Sequence, residues 1–132
     1  MGRRETSVPC PCGKLLKLAQ CCGRYLGDFD GMPAPDPESL MRSRYSAFVL
    51  GDSDYLLATW HPDRRPPDLE LDPGARWLGL DVRSRQRIDD SHAEVEFVAR
   101  SRTPGGKAVR LHERSRFVKE NARWFYLDGD ML

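Results

Sequence analysis

The sequence predicts an α+β protein: a small cysteine knot, then two helices, then an antiparallel sheet of about four strands. Three observations carry this reading. Every cysteine lies within "CPCGKLLKLAQCC", Cys10 to Cys22. Apolar residues between positions 36 and 60 recur at helical spacing, and from Arg76 onward the spacing changes to two. At 132 residues, the chain has room for one ordinary domain and an appendage. The division read here is a knot at 1–26, a linker at 27–36 and the α+β domain at 37–132.

The knot comes first. Its pattern is Cys-x-Cys, eight residues, then Cys-Cys. A bridge within either couple is strained, because disulfides want Cα atoms ~5.5 Å apart and neighbours sit ~3.8 Å apart. Bridges between the couples are sterically allowed but reducible in a cytosol. Four thiolates around Zn²⁺ fit better, and such binding folds a segment too short to fold alone. Iron–sulfur and disulfide arrangements are the alternatives. With Cys10, Cys12, Cys21 and Cys22 all supplied, no position stays open for water or substrate, so the metal reads as structural. Gly13 lets the backbone approach the sulfurs, and Lys14 and Lys17 offset their charge. The spacer "KLLKLAQ" is expected to make one or two helical turns, and Gly23 the exit turn.

This segment resembles the SEC-C motif, a small zinc-binding unit of pattern Cys-x-Cys-x8-Cys-(Cys or His), and matches all four of its ligand positions. The resemblance implies bound zinc and contact with a protein partner.

Next, "GDFDGMPAPDP" marks the linker by its Gly, Pro and Asp content. A helix then opens on Asp36 as cap, Pro37 at the first position and Glu38 at the positive dipole end. Met41, Tyr45, Phe48 and Val49 share one face of it, with Leu40 beside them, and Gly51 ends it. Asp52 or Ser53 caps a second helix, "DYLLATW", which the prolines of "HPDRRPPD" stop. Four strands follow: "RWLGLDVRSRQRI", "HAEVEFVAR", "AVRLHERSRFV" and "RWFYLDG", joined through "DDS", "TPGG" and "KENA".

Alternation assigns the faces. Ala93, Val95, Phe97 and Ala99 should look toward the helices. In the third strand, Arg114, Arg116 and His112 should face water. That turns Glu113 inward beside Ser115, Phe117, Trp124 and Tyr126. An inward carboxylate needs a partner or a wet cavity. Arg42 or Arg44, or the hydroxyls of Tyr45 or Tyr126, are the candidates to supply one. The bland reading is a buried helix-to-sheet ion pair. The functional one is a pocket built from Glu113, Ser115, Tyr126, His61, Arg42 and Tyr45. His61 follows Trp60 at a helix end, where capping also accounts for it, and His92 and His112 read as solvent residues.

The composition excludes several classes. The 21 basic and 20 acidic residues nearly cancel, which argues against nucleic acid and anionic membrane as partners. The arginine clusters at 83–87 and 110–116 read as solvated strand faces. No apolar run reaches the ~20 residues a bilayer demands. The polar start "MGRRETSVPC" does not read as a signal peptide, and Gly2 is a weak myristoylation site, so the expected location is cytoplasmic. No catalytic triad order, phosphate loop or dinucleotide fingerprint is present.

"MRSRYSAFVLGDSDYLLATWHP", "WLGL", "ERSRFVKEN" and "WFYLDG", taken with the cysteines, resemble the YchJ family of uncharacterised bacterial proteins. The resemblance covers nearly the whole chain. It implies an amino-terminal SEC-C motif and a cystatin-like, nuclear transport factor 2-like cone, with helices packed in a curved sheet. Many members carry a second SEC-C motif near the carboxyl end, and these 132 residues hold only one. That cone hosts enzymes and binding modules alike. Two functions are therefore expected: a non-enzymatic adaptor docking a protein partner through knuckle and cone, or a small-molecule binder or isomerase-like enzyme using Glu113 in the cone cavity.

Overall fold

The computed structural model describes residues 8–132, so the readings made on residues 1–7 fall outside it. The cysteine segment is a short antiparallel loop in which Pro9 bridges Lys17. Within it the Cys10 N–H donates to the Leu16 carbonyl at 2.8 Å and the Leu18 N–H to the Val8 carbonyl at 2.7 Å. The chain turns through left-handed residues, Gly13 at φ +89° and Leu15 at φ +45°. This geometry corrects one expectation. The spacer holds only a single tight turn, Leu18–Gln20, because a left-handed Leu15 and the bridge leave no room for regular helix. Gly23 is no exit turn either: it opens helix α1 (Gly23–Leu26). A Cβ there would stand 2.6 Å from the Leu18 carbonyl oxygen, so the side chain must be absent for the two segments to close.

Helix α2 (Pro37–Leu50) starts where its cap dictates, with the Asp36 carboxylate accepting the Ser39 N–H at 2.7 Å. It ends at Gly51, φ +75°. Asp52 caps helix α3 (Ser53–Ala58) through the Tyr55 N–H at 3.0 Å. Strands β1 (Arg76–Asp89), β2 (His92–Arg102), β3 (Ala108–Glu120) and β4 (Arg123–Met131) form one antiparallel sheet in sequence order. Each lies within two residues of the run that predicted it.

The inward faces are the expected ones. Ala93, Val95, Phe97 and Ala99 of β2 and Phe117 of β3 join Leu40, Met41 and Tyr45 of α2 in one core. Burial of this order, ~25 cal/mol per Å² of apolar surface, drives the helices onto the sheet. Segment 27–36 is packed on that domain: Ala34 enters the core, and Phe29 meets Tyr55 edge to face at 6.2 Å. Arg123 of β4 ties the segment down, donating to the Phe29 carbonyl at 2.6 Å and the Asp30 carbonyl at 3.0 Å.

Two irregularities position the interior. In β4, Phe117 opposes Tyr126 but Arg116 opposes Asp128, so Leu127 is an extra residue. The bulge brings Gly129 opposite Ser115 on the inner face. At the other side of the sheet, β1 is an edge strand. Gly13 of the knuckle sits beside the Leu80 carbonyl, whereas Arg83–Asp89 are exposed along their length.

Candidate functional site

Two sites stand on opposite sides of α2. On one side the four cysteine sulfurs lie within 4.8 Å of one another. Cys10 and Cys12 are 3.5 Å apart and Cys12 and Cys21 3.6 Å. All four are buried and unbridged by disulfides. A tetrahedral shell with metal–sulfur bonds of ~2.3 Å has edges of ~3.8 Å, so this set is already at ligand spacing. The thiols also cannot ionise together without a cation. Hydrogen bonds from Cys12 and Cys22 hold Cys10 far below its ordinary value, while burial pushes Cys21 up to about 11 and the bond to Cys10 drives Cys22 higher still. The donor set fits a thiophilic divalent ion.

Helix α2 supports this cluster. The Ser46 hydroxyl, fully buried, lies 3.6 Å from the Cys10 sulfur. Arg42 donates to the Cys12 carbonyl at 2.7 Å and to Glu38 at 2.8 Å, and Glu38 also pairs with Arg85 of β1. Burial pushes the Glu38 pKa up, but the two guanidiniums outweigh it and leave the carboxyl below its usual value. Supporting hydrogen bonds of this kind tune metal affinity. Ser46→Ala is expected to weaken metal retention about tenfold, read by competition with a chromogenic chelator. Equal retention would show that the hydroxyl only fills space.

On the other side of α2 a cavity of about 150 Å³ opens between helix and sheet. Met41 and Phe48 of α2 and Trp77, Phe97, Leu111 and Phe117 of the sheet give it apolar walls. Glu113, Ser115 and Tyr126 supply polar ones. The Glu113 carboxylate, 8% exposed, accepts the Ser115 hydroxyl at 2.6 Å and the Tyr126 hydroxyl at 3.1 Å, both at Oε2. Gly129 makes room for it, since a Cβ there would stand 2.8 Å from the carboxyl carbon. Burial and the adjacent carboxylate both push the Tyr126 phenol above its ordinary value, so it stays a donor.

Among the described residues, no arginine forms a salt bridge with Glu113. Arg42 is occupied at the knuckle. Arg44 lines the cavity, but its Nη1 donates to the Leu56 carbonyl and the Thr59 hydroxyl, each at 2.7 Å. Its guanidinium lies over the rings of Tyr126 at 4.5 Å and Trp60 at 5.3 Å. Burial lowers its pKa to about 10, with Tyr126, Tyr55 and Glu113 opposing that shift.

The six pocket residues named from sequence are therefore divided. Glu113, Ser115, Tyr126 and Tyr45 line one cavity. Tyr45 presents its ring, stacked edge-on to Trp77 at 5.6 Å. Arg42 serves the cysteine cluster. His61 lies outside the lining, where it donates from Nε2 to Glu120 at 2.8 Å and accepts the Asp63 N–H at Nδ1. Arg44, named from sequence as a candidate partner of Glu113 but not among those six, lines the cavity as well. It shares the stripe Met41, Arg44, Tyr45, Phe48, and that spacing of three and four is the signal that finds it.

Comparison with known proteins agrees with this architecture. Residues 36–129 match the family model described as YchJ, middle NTF2-like domain. A UPF0225 protein of Polaromonas sp. strain JS666 is 65% identical over 127 residues, 92% of this chain and 91% of that one. A UPF0225 protein of Bordetella pertussis is 58% identical over 132 residues, 98% of each. The solution structure of a SEC-C motif containing protein from Rhodopseudomonas palustris superposes with a TM-score of 0.80 at 35% identity, covering 95% of this chain and 99% of that one. The crystal structure of another from Psychrobacter arcticus gives 0.79 at 31% identity, covering 95% and 83%.

Proposed function

The chain belongs to the YchJ family of SEC-C motif proteins, and from that premise we propose that it binds a small molecule in its cone cavity, oriented by Glu113. One observation carries this reading: a buried carboxylate that forms no salt bridge among the described residues, held by two hydroxyls at the wall of an aromatic cavity that Arg44 also lines. A carboxylate kept only for stability would be expected to sit in an ion pair. So placed, Glu113 is also positioned to accept a proton from a carbon next to a carbonyl, the route by which the site would act as an enzyme. The cysteine cluster takes Zn²⁺ in this proposal, and the ion supplies folding energy to the knuckle.

Benzyl alcohol is a suitable probe, because a 150 Å³ apolar cavity accepts a benzene-sized molecule. Titration should shift the side-chain NMR signals of Met41 and Leu111 saturably, and Ala99→Phe, which fills the cavity, should abolish the shifts. Shifts that never saturate, or that survive Ala99→Phe, would remove the proposal.

The adaptor reading has its own support. Leu15 at the knuckle tip is 98% exposed and Leu16 46%, flanked by Lys14 and Lys17. Such a tip suits a protein partner with apolar and acidic side chains. A partner lost on Leu15→Asp, with benzyl alcohol binding unchanged, would assign docking to the tip and ligand binding to the cone.

A further inference from the structure

Resting on the cavity reading above, we infer that the ligand is a small neutral molecule carrying an N–H donor beside a carbonyl acceptor, as on the edge of a lactam or cyclic urea. The inference follows from two groups that the protein leaves half used. Glu113 engages Oε2 with Ser115 and Tyr126, and its Oε1 has no partner among the described residues. Arg44 engages Nη1 with Leu56 and Thr59, and its Nε and Nη2 have none among them.

These atoms are not sealed away. Among the described residues, the fully enclosed side-chain nitrogen or oxygen without a partner is Trp60 Nε1 alone. Arg44 and Glu113 both line the cavity, and the inferred ligand meets their uncommitted atoms there. Tyr126 holds the two charges apart, with its ring under the guanidinium and its hydroxyl on the carboxylate.

Charge then selects the ligand. An anion would meet the Glu113 carboxylate, a cation would meet Arg44, and a hydrocarbon would leave both without a hydrogen bond in a poorly solvated space. A neutral donor–acceptor edge satisfies both: the ligand N–H donates to Glu113, and the ligand carbonyl accepts from Arg44. The aromatic walls take the ring. The cavity volume limits the ligand to about six to ten non-hydrogen atoms, by comparison with cavities that hold benzene.

Three probes separate these contributions. 2-Pyrrolidone offers donor and acceptor, N-methyl-2-pyrrolidone keeps only the acceptor, and cyclopentanone keeps the acceptor on a bare ring. Dissociation constants from NMR titration of the zinc-loaded chain should favour 2-pyrrolidone by tenfold or more, the scale of one hydrogen bond to a charged group. In Glu113→Gln the amide oxygen is claimed by Ser115 and Tyr126, which turns the NH₂ toward the ligand N–H. The preference should then fall below about threefold. If that variant does not fold, the three-probe comparison on the unaltered chain decides by itself. Equal binding of all three probes, or none of them binding while benzyl alcohol saturates, overturns the ligand class and leaves the cavity reading standing. Failure of all four probes overturns both.

Discussion

Replacing Cys21 and Cys22 together by serine is expected to abolish stoichiometric metal binding and to lower the midpoint of thermal unfolding by on the order of 10–20 °C. Two neutral hydroxyls cannot complete the thiolate shell, and the knuckle has little apolar packing to fold it: among the described residues, Leu18 and Leu26 are the hydrophobics packed against the cysteines. The loss reaches the main domain because the knuckle and α2 share contacts. The bond from Arg42 to the Cys12 carbonyl disappears, and Tyr25, buried in the core from α1, loses its anchor. Each is worth about 1.5–3 kcal/mol. One kcal/mol moves the midpoint by roughly 4 °C for a domain of this size. Metal analysis and calorimetry on the same preparation measure both effects. One ion per chain with an unchanged midpoint would dissociate the cysteines from the site.

Gly129→Ala is expected to destabilise the protein by about 2–3 kcal/mol and to displace Glu113. The cost does not come from the backbone, since Gly129 is not among the glycines of positive φ. The three nearest neighbours of the new methyl would all belong to Glu113: its Cδ at 2.8 Å, its Cγ at 3.0 Å, and Oε2 nearer still. A free glutamate would swing aside at little cost. This one is held by Ser115 and Tyr126, so moving it breaks two hydrogen bonds to a charged group. Adding Glu113→Ala removes the obstacle. The double variant should therefore be more stable than the sum of the two single changes by about 2 kcal/mol, as measured by urea unfolding. Strict additivity would show that Gly129 is needed for some other reason.

Much of the architecture could be read from local chemistry, and its failures have local causes too. Asp36, Pro37 and Gly51 mark the ends of α2 because caps act over a few bonds. Alternation in β2 and β3 places Ala93, Val95, Phe97 and Ala99, and Glu113, Ser115 and Phe117, inward, because a strand has only two faces. The spacer between the cysteine couples is different. Its residues suit a helix, yet cluster closure forces Leu15 into a left-handed turn that propensity opposes. The Tyr126 hydroxyl, a candidate from sequence, does meet Glu113, but which arginine would reach its cavity was illegible for a similar reason. Arg42 and Arg44 are two positions apart, so about 200° of helix rotation separates them. Which one meets the sheet depends on where the knuckle docks. Trp60 and Trp77 come to one cavity from segments flanking a long loop, and nothing local fixes that meeting.

The exposed stretch of β1 bears on how the molecule behaves in a crowded solution. An uncovered strand end presents unpaired N–H and C=O groups that a second copy can extend into a continuous sheet. Along Arg83, Arg85 and Arg87, every second residue is a cation. A second β1 laid antiparallel against it would set guanidinium against guanidinium, an opposition that cross-strand pairs do not tolerate well. The arginine run that reads as a featureless solvated face thus disfavours that edge-to-edge pairing, with Arg85 spending part of its charge on Glu38. It stands where the cysteine knuckle stops covering the sheet.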